Sequence, residues 1–322
     1  MIVETKNLRV VYLTANAISG MSRDQAFAYF LGLLEGDGNF HLFFSNDKYI
    51  SVGGIAKKPR SLGFCISIDL NNDLGLFNEA MLYRLNEKLE LKGVIYRLKP
   101  RNRYYDVFSA DFKQRREFLS FVRLRISNKN NILNLLGLIN SFGSLFLTKR
   151  RSQYFLFESV FKRYHAKPRI SFIERAQLLK EVKDLKSVNW SNPDLSMLDI
   201  KKYGFDVLVP YQVEYYLDHP FFDWWLVGFT EAEGSFCIRK SFVHSFSISQ
   251  VNEEVICLAI KNYFKITTAV RKDKKNCYSV EASSFNNIKT ILMFFKGKLL
   301  GQKFVSYEHV KQSWENKHSE LL

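Results

Sequence analysis

The sequence predicts an α+β fold built from two pseudo-symmetric αββαββα repeats, whose antiparallel sheets form one continuous saddle-shaped surface. Three observations support this prediction. A glycine-rich helical segment that ends in an acidic residue occurs twice, at residues 30–38 and 226–234. Each copy is followed by segments in which apolar and polar residues alternate, as they do in half-buried strands. Segments of helical periodicity complete each copy, so the chain reads as an internal duplication.

The first copy, FLGLLEGDG, forms the end of a predicted helix. Ser22 and Gln25 have the spacing of a capping box, which marks where this helix begins. Gly36 and Gly38 are expected to end it. Gly32 and Gly36 lie one turn apart on one face, where each glycine costs roughly 1 kcal/mol relative to alanine. Such a pair lets a second helix backbone approach closely, because no side chain separates the two helices.

The second copy, LVGFTEAEG, supplies the partner helix. Gly228, Ala232 and Gly234 stand where the first copy has its three glycines. Asp37 in the first copy therefore corresponds to Glu233 in the second. We expect two packed helices with one acidic residue at the end of each.

The rest of the first repeat follows the same plan. Residues 1–20 have no clear period and are assigned as a leader or an added strand, of unknown role. Alternation predicts strands at 39–45, 64–70, 94–98 and 103–110. The last two strands are expected to pair as a hairpin. Helical spacing predicts helices at 72–91, 112–126, 132–142 and 152–164.

The second repeat is shorter. Its predicted strands are 235–241, 242–250, 267–272 and 277–283, and its predicted helices after the motif are 253–264, 286–296 and 303–315. The predicted domains are therefore an N-terminal unit at 21–165, a linker with a charged helix at 166–217, and a C-terminal unit at 218–322.

The composition predicts a protein that binds a polyanion inside the cell. The formal net charge is +15 and the pI is about 9.5. This excess favours nucleic acid as the partner, with a membrane surface as the second candidate. No apolar run is long enough for a membrane span, and the first residues lack the form of a signal peptide. The four cysteines show no C-x-x-C spacing, which predicts free thiols.

Residues favoured by AT-rich codons, among them Phe, Tyr, Asn, Ile, Lys and Leu, are numerous. This composition fits an organelle-encoded reading frame. We therefore expect an intracellular, mitochondrial protein.

The two motifs, each followed by Phe and an alternating strand, resemble those of the LAGLIDADG homing endonucleases and intron maturases. The resemblance is to the single-chain form with two motifs. It implies that the two signature helices pack at a pseudo-twofold axis within a monomer. It also implies a saddle that straddles double-stranded DNA and a reaction that hydrolyses both strands of a long, specific target site.

Asp37 and Glu233 predict a divalent-metal site. Each acid stands at a helix C-terminus, which carries partial negative charge, and like charges placed together require a cation. Oxygen ligands favour Mg²⁺, and Mn²⁺ or Ca²⁺ can occupy the same site. The resemblance adds the backbone carbonyls of Gly36 and Ala232 as ligands, with one carboxylate serving each DNA strand.

The resemblance implies three further catalytic residues. A basic residue is expected at the start of each terminal helix, and Arg150 and Lys303 each stand four residues before a tyrosine. Lys149 competes with Arg150 for this role. Gln250 in FSISQ matches a polar residue that orders water in relatives. The equivalent position in FCISI is Ile68, so the two half-sites are expected to cut at different rates.

The solvent faces of the predicted strands and their loops carry the candidate DNA contacts. A two-stranded ribbon fits the major groove, where Arg and Lys read guanine. The candidates are His41, Lys57, Lys58, Arg60, Arg97, Lys99, Arg101, Arg103, Arg239, Lys240, Arg271, Lys272, Lys274 and Lys275.

Two alternative functions fit the same fold. A maturase would bind intron RNA and assist group I intron splicing, with or without DNA cleavage. A catalytically silent DNA-binding regulator is the second alternative, and the intact acids Asp37 and Glu233 argue against it. A dinucleotide-binding enzyme is excluded, because its glycine-rich loop opens a helix, whereas this motif ends one.

Overall fold

Each half of the molecule contains a four-stranded antiparallel sheet with helices on one face. The computed structural model describes residues 18–45, 61–71, 77–98, 104–107, 115–118, 121–142, 150–166, 171, 173–174, 177–178, 180 and 212–319. None of the helices in these ranges has the length and apolar content that a membrane span needs.

The N-terminal half has its strands in the order β1-β2-β6-β3, with β4 and β5 paired as a separate hairpin. Its elements are α1 (Arg23–Asp37), β1 (Gly38–Ser45), β2 (Ser61–Asn71), α2 (Phe77–Lys88), β3 (Val94–Leu98), β4 (Tyr104–Val107), β5 (Arg115–Phe118), β6 (Phe121–Ile126), α3 (Lys129–Phe142) and α4 (Arg151–His165).

The C-terminal half has the equivalent order, β7-β8-β10-β9. Its elements are α5 (Val213–Leu217), α6 (Phe222–Glu233), β7 (Gly234–Ile238), β8 (His244–Val251), α7 (Glu254–Tyr263), β9 (Arg271–Lys272), β10 (Cys277–Ala282), α8 (Phe285–Phe295) and α9 (Lys303–Lys317). The shared order confirms the predicted duplication. Hydrogen bonding among the described strands divides the expected continuous saddle into two separate sheets.

The prediction of a helix at 112–126 is wrong, because this segment contains strands β5 and β6. In β6, Val122, Leu124 and Ile126 are buried and alternate with partly exposed neighbours. A period of two favours a strand over a helix. The alternating pattern FVRLRI was therefore the signal that helical periodicity obscured.

The expected hairpin between 94–98 and 103–110 is also wrong. Within the second segment, Tyr104–Val107 pairs with β5, whereas β3 pairs with β6. The N-terminal repeat thus carries the hairpin of β4 and β5 between β3 and β6. In the C-terminal repeat the corresponding strands, β9 and β10, are joined by the short turn at 273–276. Alternation identifies a strand but does not select its partner.

A short helix, α5, lies inside the predicted linker at 166–217. Its Tyr216 is buried and its ring contacts those of Phe222 and Trp225 in α6, so this end of the linker packs on the C-terminal half. Residues 1–17 and 181–211, which hold most of the leader and of the linker, lie outside the described residues.

Helices α1 and α6 pack together through their small residues. A Cβ atom at Gly32 would overlap the backbone of Trp225 and Phe229, and one at Gly36 would overlap the side chain of Ala232. The contacts advance along both helices in the same direction, so the helices are parallel. The predicted close helix pair is therefore present, and both helices are buried along most of their length.

The predicted capping box at the start of α1 is confirmed. Its C-terminal end differs from the prediction, because the helix continues through Gly36 and ends at Asp37. Gly38 follows with an extended backbone, at φ −78°. Glycine is needed there for space, since a Cβ would overlap the carbonyl oxygen of Leu34.

Candidate active site

The parallel helices bring Asp37 and Glu233 together at their C-terminal ends. Glu233 lies against Gly36, with its Oε1 3.7 Å from where a Cβ at that glycine would stand. Burial, followed by the negative charge of Glu233, raises the pKa of Asp37 to about 7. The two acids therefore form a close like-charged pair, as the sequence predicted.

Arg150 and Lys303 lie near this pair, and their positive charges oppose the rise in the pKa of Asp37. The Arg150 guanidinium donates hydrogen bonds from Nη2 to the Gly36 carbonyl oxygen at 3.0 Å and from Nε to that of Glu35 at 3.4 Å. It thus neutralises the C-terminus of α1, where a cation is favoured. The competing Lys149 lies outside the described residues.

Matching aromatic contacts position both basic residues. The Phe40 ring packs edge-on against Tyr154, and the Phe236 ring packs in the same way against Tyr307, each with centroids 5.5 Å apart. Each phenylalanine follows a motif helix, and each tyrosine lies in the terminal helix of its half. The first turn of each terminal helix is therefore held next to the end of a motif helix.

Gln250 in β8 donates a hydrogen bond from Nε2 to Glu233 Oε1 at 3.1 Å. Its side chain is buried. The contact fixes the orientation of the Glu233 carboxylate. Gln250 is therefore part of the site in the C-terminal half.

The strand register corrects the position that corresponds to Gln250 in the first half. Gly38 pairs with Ile68, and Gly234 pairs with Ile248. Ile68 is thus the counterpart of Ile248, and the counterpart of Gln250 is Leu70, which is buried. The two halves still differ at this position, one being apolar and one polar.

Asp69 adds a second difference between the halves. It makes a bidentate ion pair with Arg123. Its negative charge also contributes to the raised pKa of Asp37. The register places Ser249 at the equivalent position in the C-terminal half. The ion pair near Asp37 therefore has no counterpart at Ser249.

The residues at this site fit a hard divalent ion. Among the described residues, no cluster of three or more His, Cys, Asp and Glu side chains could hold a metal. The donors here are two carboxylates and the backbone carbonyls at two helix ends, which suit Mg²⁺ together with water. One candidate ligand, the Gly36 carbonyl oxygen, already accepts a hydrogen bond from Arg150.

Glu231 is a structural acid two residues before the end of α6. It is buried and accepts hydrogen bonds from the backbone N–H groups of Leu300 at 2.6 Å, Gly301 at 2.8 Å and Lys303 at 3.3 Å. An acid is favoured at the N-terminus of a helix. Glu231 therefore ties the start of α9 to the motif helix, a supporting role rather than a metal-binding one.

The solvent face of the N-terminal sheet differs from the prediction. His41 lies on this face, and so do Arg123 and Arg125, which the mistaken helix assignment had concealed. Arg97 pairs in register with a buried residue of β6 and bonds Glu79 of α2 at 2.8 Å. The register therefore places Arg97 on the helix-facing side, away from the predicted DNA surface.

The solvent face of the C-terminal sheet is rich in serine and flanked by arginine. Arg239 and Arg271 both pair with Glu281 in β10. Lys272 lies on the opposite face by register, with its ammonium 5.2 Å from the Tyr278 ring centroid. The remaining predicted lysines in this half are exposed in turns, at Lys240, Lys274 and Lys275.

The other predicted DNA contacts lie outside the described residues. They are Lys57, Lys58, Arg60, Lys99, Arg101 and Arg103.

A protein-family model matches the part of the chain that contains the second of the paired helices. Residues 226–314, from α6 through most of α9, match the model described as LAGLIDADG endonuclease. The C-terminal half of the chain therefore belongs to the LAGLIDADG family. Helix α6 lies in the matched region, and α1, which carries small residues at the equivalent positions of the contact, packs against it.

Curated relatives are intron-encoded proteins. The chain is 39% identical over 140 residues to the probable intron-encoded endonuclease aI3 of Dictyostelium citrinum, covering 43% of this chain and 55% of that protein. It is 24% identical over 291 residues to the probable intron-encoded endonuclease Cox1-I1b of Schizosaccharomyces pombe, covering 87% of this chain and 62% of that protein. The chain thus spans little more than half the length of these relatives.

Solved LAGLIDADG structures have the same fold. The meganuclease I-AabMI bound to uncleaved DNA aligns with a TM-score of 0.56 and 19% identity, covering 91% of both chains. The homing endonuclease I-SmaMI bound to cleaved DNA aligns with a TM-score of 0.60 and 18% identity, covering 91% of this chain and 90% of that one. The predicted LAGLIDADG fold of two α+β repeats is confirmed.

Proposed function

We propose that this LAGLIDADG protein is a monomeric, site-specific endonuclease that hydrolyses both strands of a long double-stranded DNA target. The observation that carries the proposal is the convergence of Asp37 and Glu233 at the ends of two parallel helices, beside Arg150 and Lys303. One chain supplies both acids and both basic residues, which supports a monomer that serves two strands.

Each residue has a distinct part in the proposed reaction. Asp37 and Glu233 would hold a divalent metal ion, together with the backbone carbonyls of Ala232 and Gly36. When bound there, Mg²⁺, or Mn²⁺ or Ca²⁺ in the same site, would supply activation of a water molecule and neutralise charge on the scissile phosphates. Arg150 and Lys303 direct positive charge toward the phosphates, and Gln250 keeps the Glu233 carboxylate in place.

The comparisons and the charge support DNA as the substrate. The names of the curated relatives say endonuclease, and the solved neighbours named above are bound to DNA. These names favour DNA cleavage over the RNA maturase function. The net charge of +15 suits a nucleic-acid duplex. The intron-encoded relatives also support an organelle-encoded, mitochondrial origin.

A randomised duplex library tests the proposal. Purified protein is incubated with the library and Mg²⁺, and the ends of the cut molecules are sequenced. We expect one recurrent site, cut in both strands. Ends that are random in sequence, or no cut molecules at all, would contradict a site-specific endonuclease.

Binding to the recovered site should depend steeply on salt. If Lys and Arg side chains contact phosphates, binding releases condensed counterions, and log affinity falls linearly with log salt concentration. We expect a loss of roughly a thousandfold between about 50 and about 200 mM salt. Fluorescence anisotropy with a labelled duplex, recorded in a buffer that contains Ca²⁺, measures how steeply log affinity falls with log salt concentration. A flat response would argue against phosphate contacts.

Gln250→Leu should slow cleavage of one strand more than the other. The change copies the apolar residue found at the equivalent position, Leu70, and removes the hydrogen bond to Glu233. Losing a residue that orients a metal ligand typically costs roughly 10- to 100-fold. Nicking of each strand is followed with a duplex labelled at both ends, so the second strand is an internal control. Equal slowing of both strands would contradict a local role.

A further inference from the structure

The loop at 299–302, directly before α9, is held by side chains from both halves of the molecule. Glu231 of the C-terminal half accepts from backbone N–H groups on either side of Gln302. Gln302 itself donates its backbone N–H to Oδ1 of Asn78, at 2.8 Å. Asn78 lies in α2 of the N-terminal half, so this hydrogen bond crosses between the two halves.

Asn78 is built into this contact. Its side chain is 5% exposed, and its Nδ2 donates to the carbonyl oxygen of Asn71 at the end of β2. Because both ends of the amide are engaged, its orientation is determined. Buried polar groups that are fully hydrogen-bonded specify one arrangement of the chain around them.

Gly301 in this loop is tightly enclosed. A Cβ atom at Gly301 would overlap Oδ1 of Asn78 and would stand 2.8 Å from Oε2 of Glu231. The backbone of this glycine therefore fits between the two side chains. A third residue, Tyr29 of α1, lies near Glu231, and its hydroxyl donates a hydrogen bond to Sδ of Met81 in α2.

Lys303 is the residue that this arrangement locates. It is the first residue of α9 and directly follows Gln302. Its charge acts on Asp37, which belongs to the other half of the molecule. The position of its side chain thus depends on a hydrogen bond made by Asn78, which lies in neither of the two motif helices.

We propose that Asn78 is a positioning residue: from the opposite half of the molecule, it holds the backbone directly before Lys303 and so determines where the Lys303 side chain lies. The effect of Asn78 on cleavage rests on the proposed endonuclease function, whereas its hold on the loop does not. A catalytic group displaced by about 1 Å loses on the order of 100-fold in rate. Removing the Asn78 side chain should therefore slow the strand that Lys303 serves.

The first experiment needs no activity. Amide hydrogen exchange of the peptide that contains Gln302 is compared in the wild-type protein and in Asn78→Ala. We expect exchange at this amide to accelerate roughly tenfold, the worth of one buried hydrogen bond. Asn86→Ala is the matched control, because Asn86 also lies in α2 and makes two side-chain bonds, both to Gly93 within its own half. It should leave the Gln302 peptide unchanged.

The second experiment measures cleavage of each strand of the site recovered from the library. Lys303→Ala identifies the strand that depends on Lys303. Asn78→Ala should slow this same strand by roughly 10- to 100-fold and the other strand much less. Combined with Lys303→Ala, it should cause little additional loss, because two changes that act through one group are not additive. Asn86→Ala should cut both strands as the wild type does.

The outcomes separate this inference from the proposed function. Unchanged exchange at Gln302 in Asn78→Ala would overturn the inference whether or not the protein cuts DNA. Faster exchange with equal slowing of both strands, or with full additivity to Lys303→Ala, would show that Asn78 acts on stability alone and would also overturn it. A wild-type protein that cuts no duplex would defeat the endonuclease proposal, while the exchange result would still decide whether Asn78 holds the loop.

Discussion

Asp37→Asn and Glu233→Gln should each lower DNA cleavage by roughly a thousandfold or more, because each change removes an anionic metal ligand worth several kcal/mol in the transition state. The amides keep the size of the acids, so the helix pair should remain intact. The rate is measured with the site recovered from the library, under single-turnover conditions in Mg²⁺.

Binding of the same duplex should persist or strengthen in both amide variants. The acids repel phosphates, and the amides relieve that repulsion. A matched control is Asp223→Asn, which lies in the first turn of the same helix as Glu233 and bonds the Tyr263 hydroxyl. It should cut at the parent's rate. A double amide variant that still cuts near the parent's rate would place the nuclease centre elsewhere.

Gly32→Ala should destabilise the protein by about 3 kcal/mol or more. The added methyl group would overlap the carbonyl oxygen of Trp225 and the backbone nitrogen of Phe229. Overpacking typically costs 1–3 kcal/mol, and here the obstructing atoms belong to a rigid helix backbone that cannot move aside. The free energy of unfolding is obtained from urea denaturation.

Gly137→Ala is the matched control for this prediction. Gly137 lies in the middle of α3, and nothing stands within 4 Å of where its Cβ would be. The same substitution should therefore stabilise the protein by up to about 1 kcal/mol through helix propensity. If Gly32→Ala unfolds at the same urea concentration as this control, the close helix pair is disproved.

Local sequence signals predicted those features of the fold that depend on residues close together in the chain. The capping box at Ser22 begins α1, and the spacing of the small residues defines the face on which α1 and α6 meet. The acids at the two helix ends follow directly from that alignment. For this reason the fold class and the paired acids could be predicted without coordinates, whereas the two basic residues at the terminal helices were expected only from the resemblance to the LAGLIDADG family.

Local sequence patterns did not predict which strands pair with each other or on which face of the sheet a side chain lies. Segment 112–126 was assigned to a helix although β6 lies between β2 and β3, and this hid Arg123 and Arg125 on the solvent face. Arg97 was assigned to the wrong face for a related reason. An alternating segment has two faces and several possible neighbours, and only pairing with distant strands selects among them.

By itself, the sequence determined the duplication, the two glycine-lined helices and the acids Asp37 and Glu233, because each depends on residues within one or two helical turns. Only the tertiary structure decided that Asn78 bonds the backbone before Lys303, since its partner Gln302 lies 224 residues away along the chain. A hydrogen bond of that separation depends on how two complete halves dock. That docking depends on the packing of α1 against α6, where the absence of side chains allows the two backbones to meet.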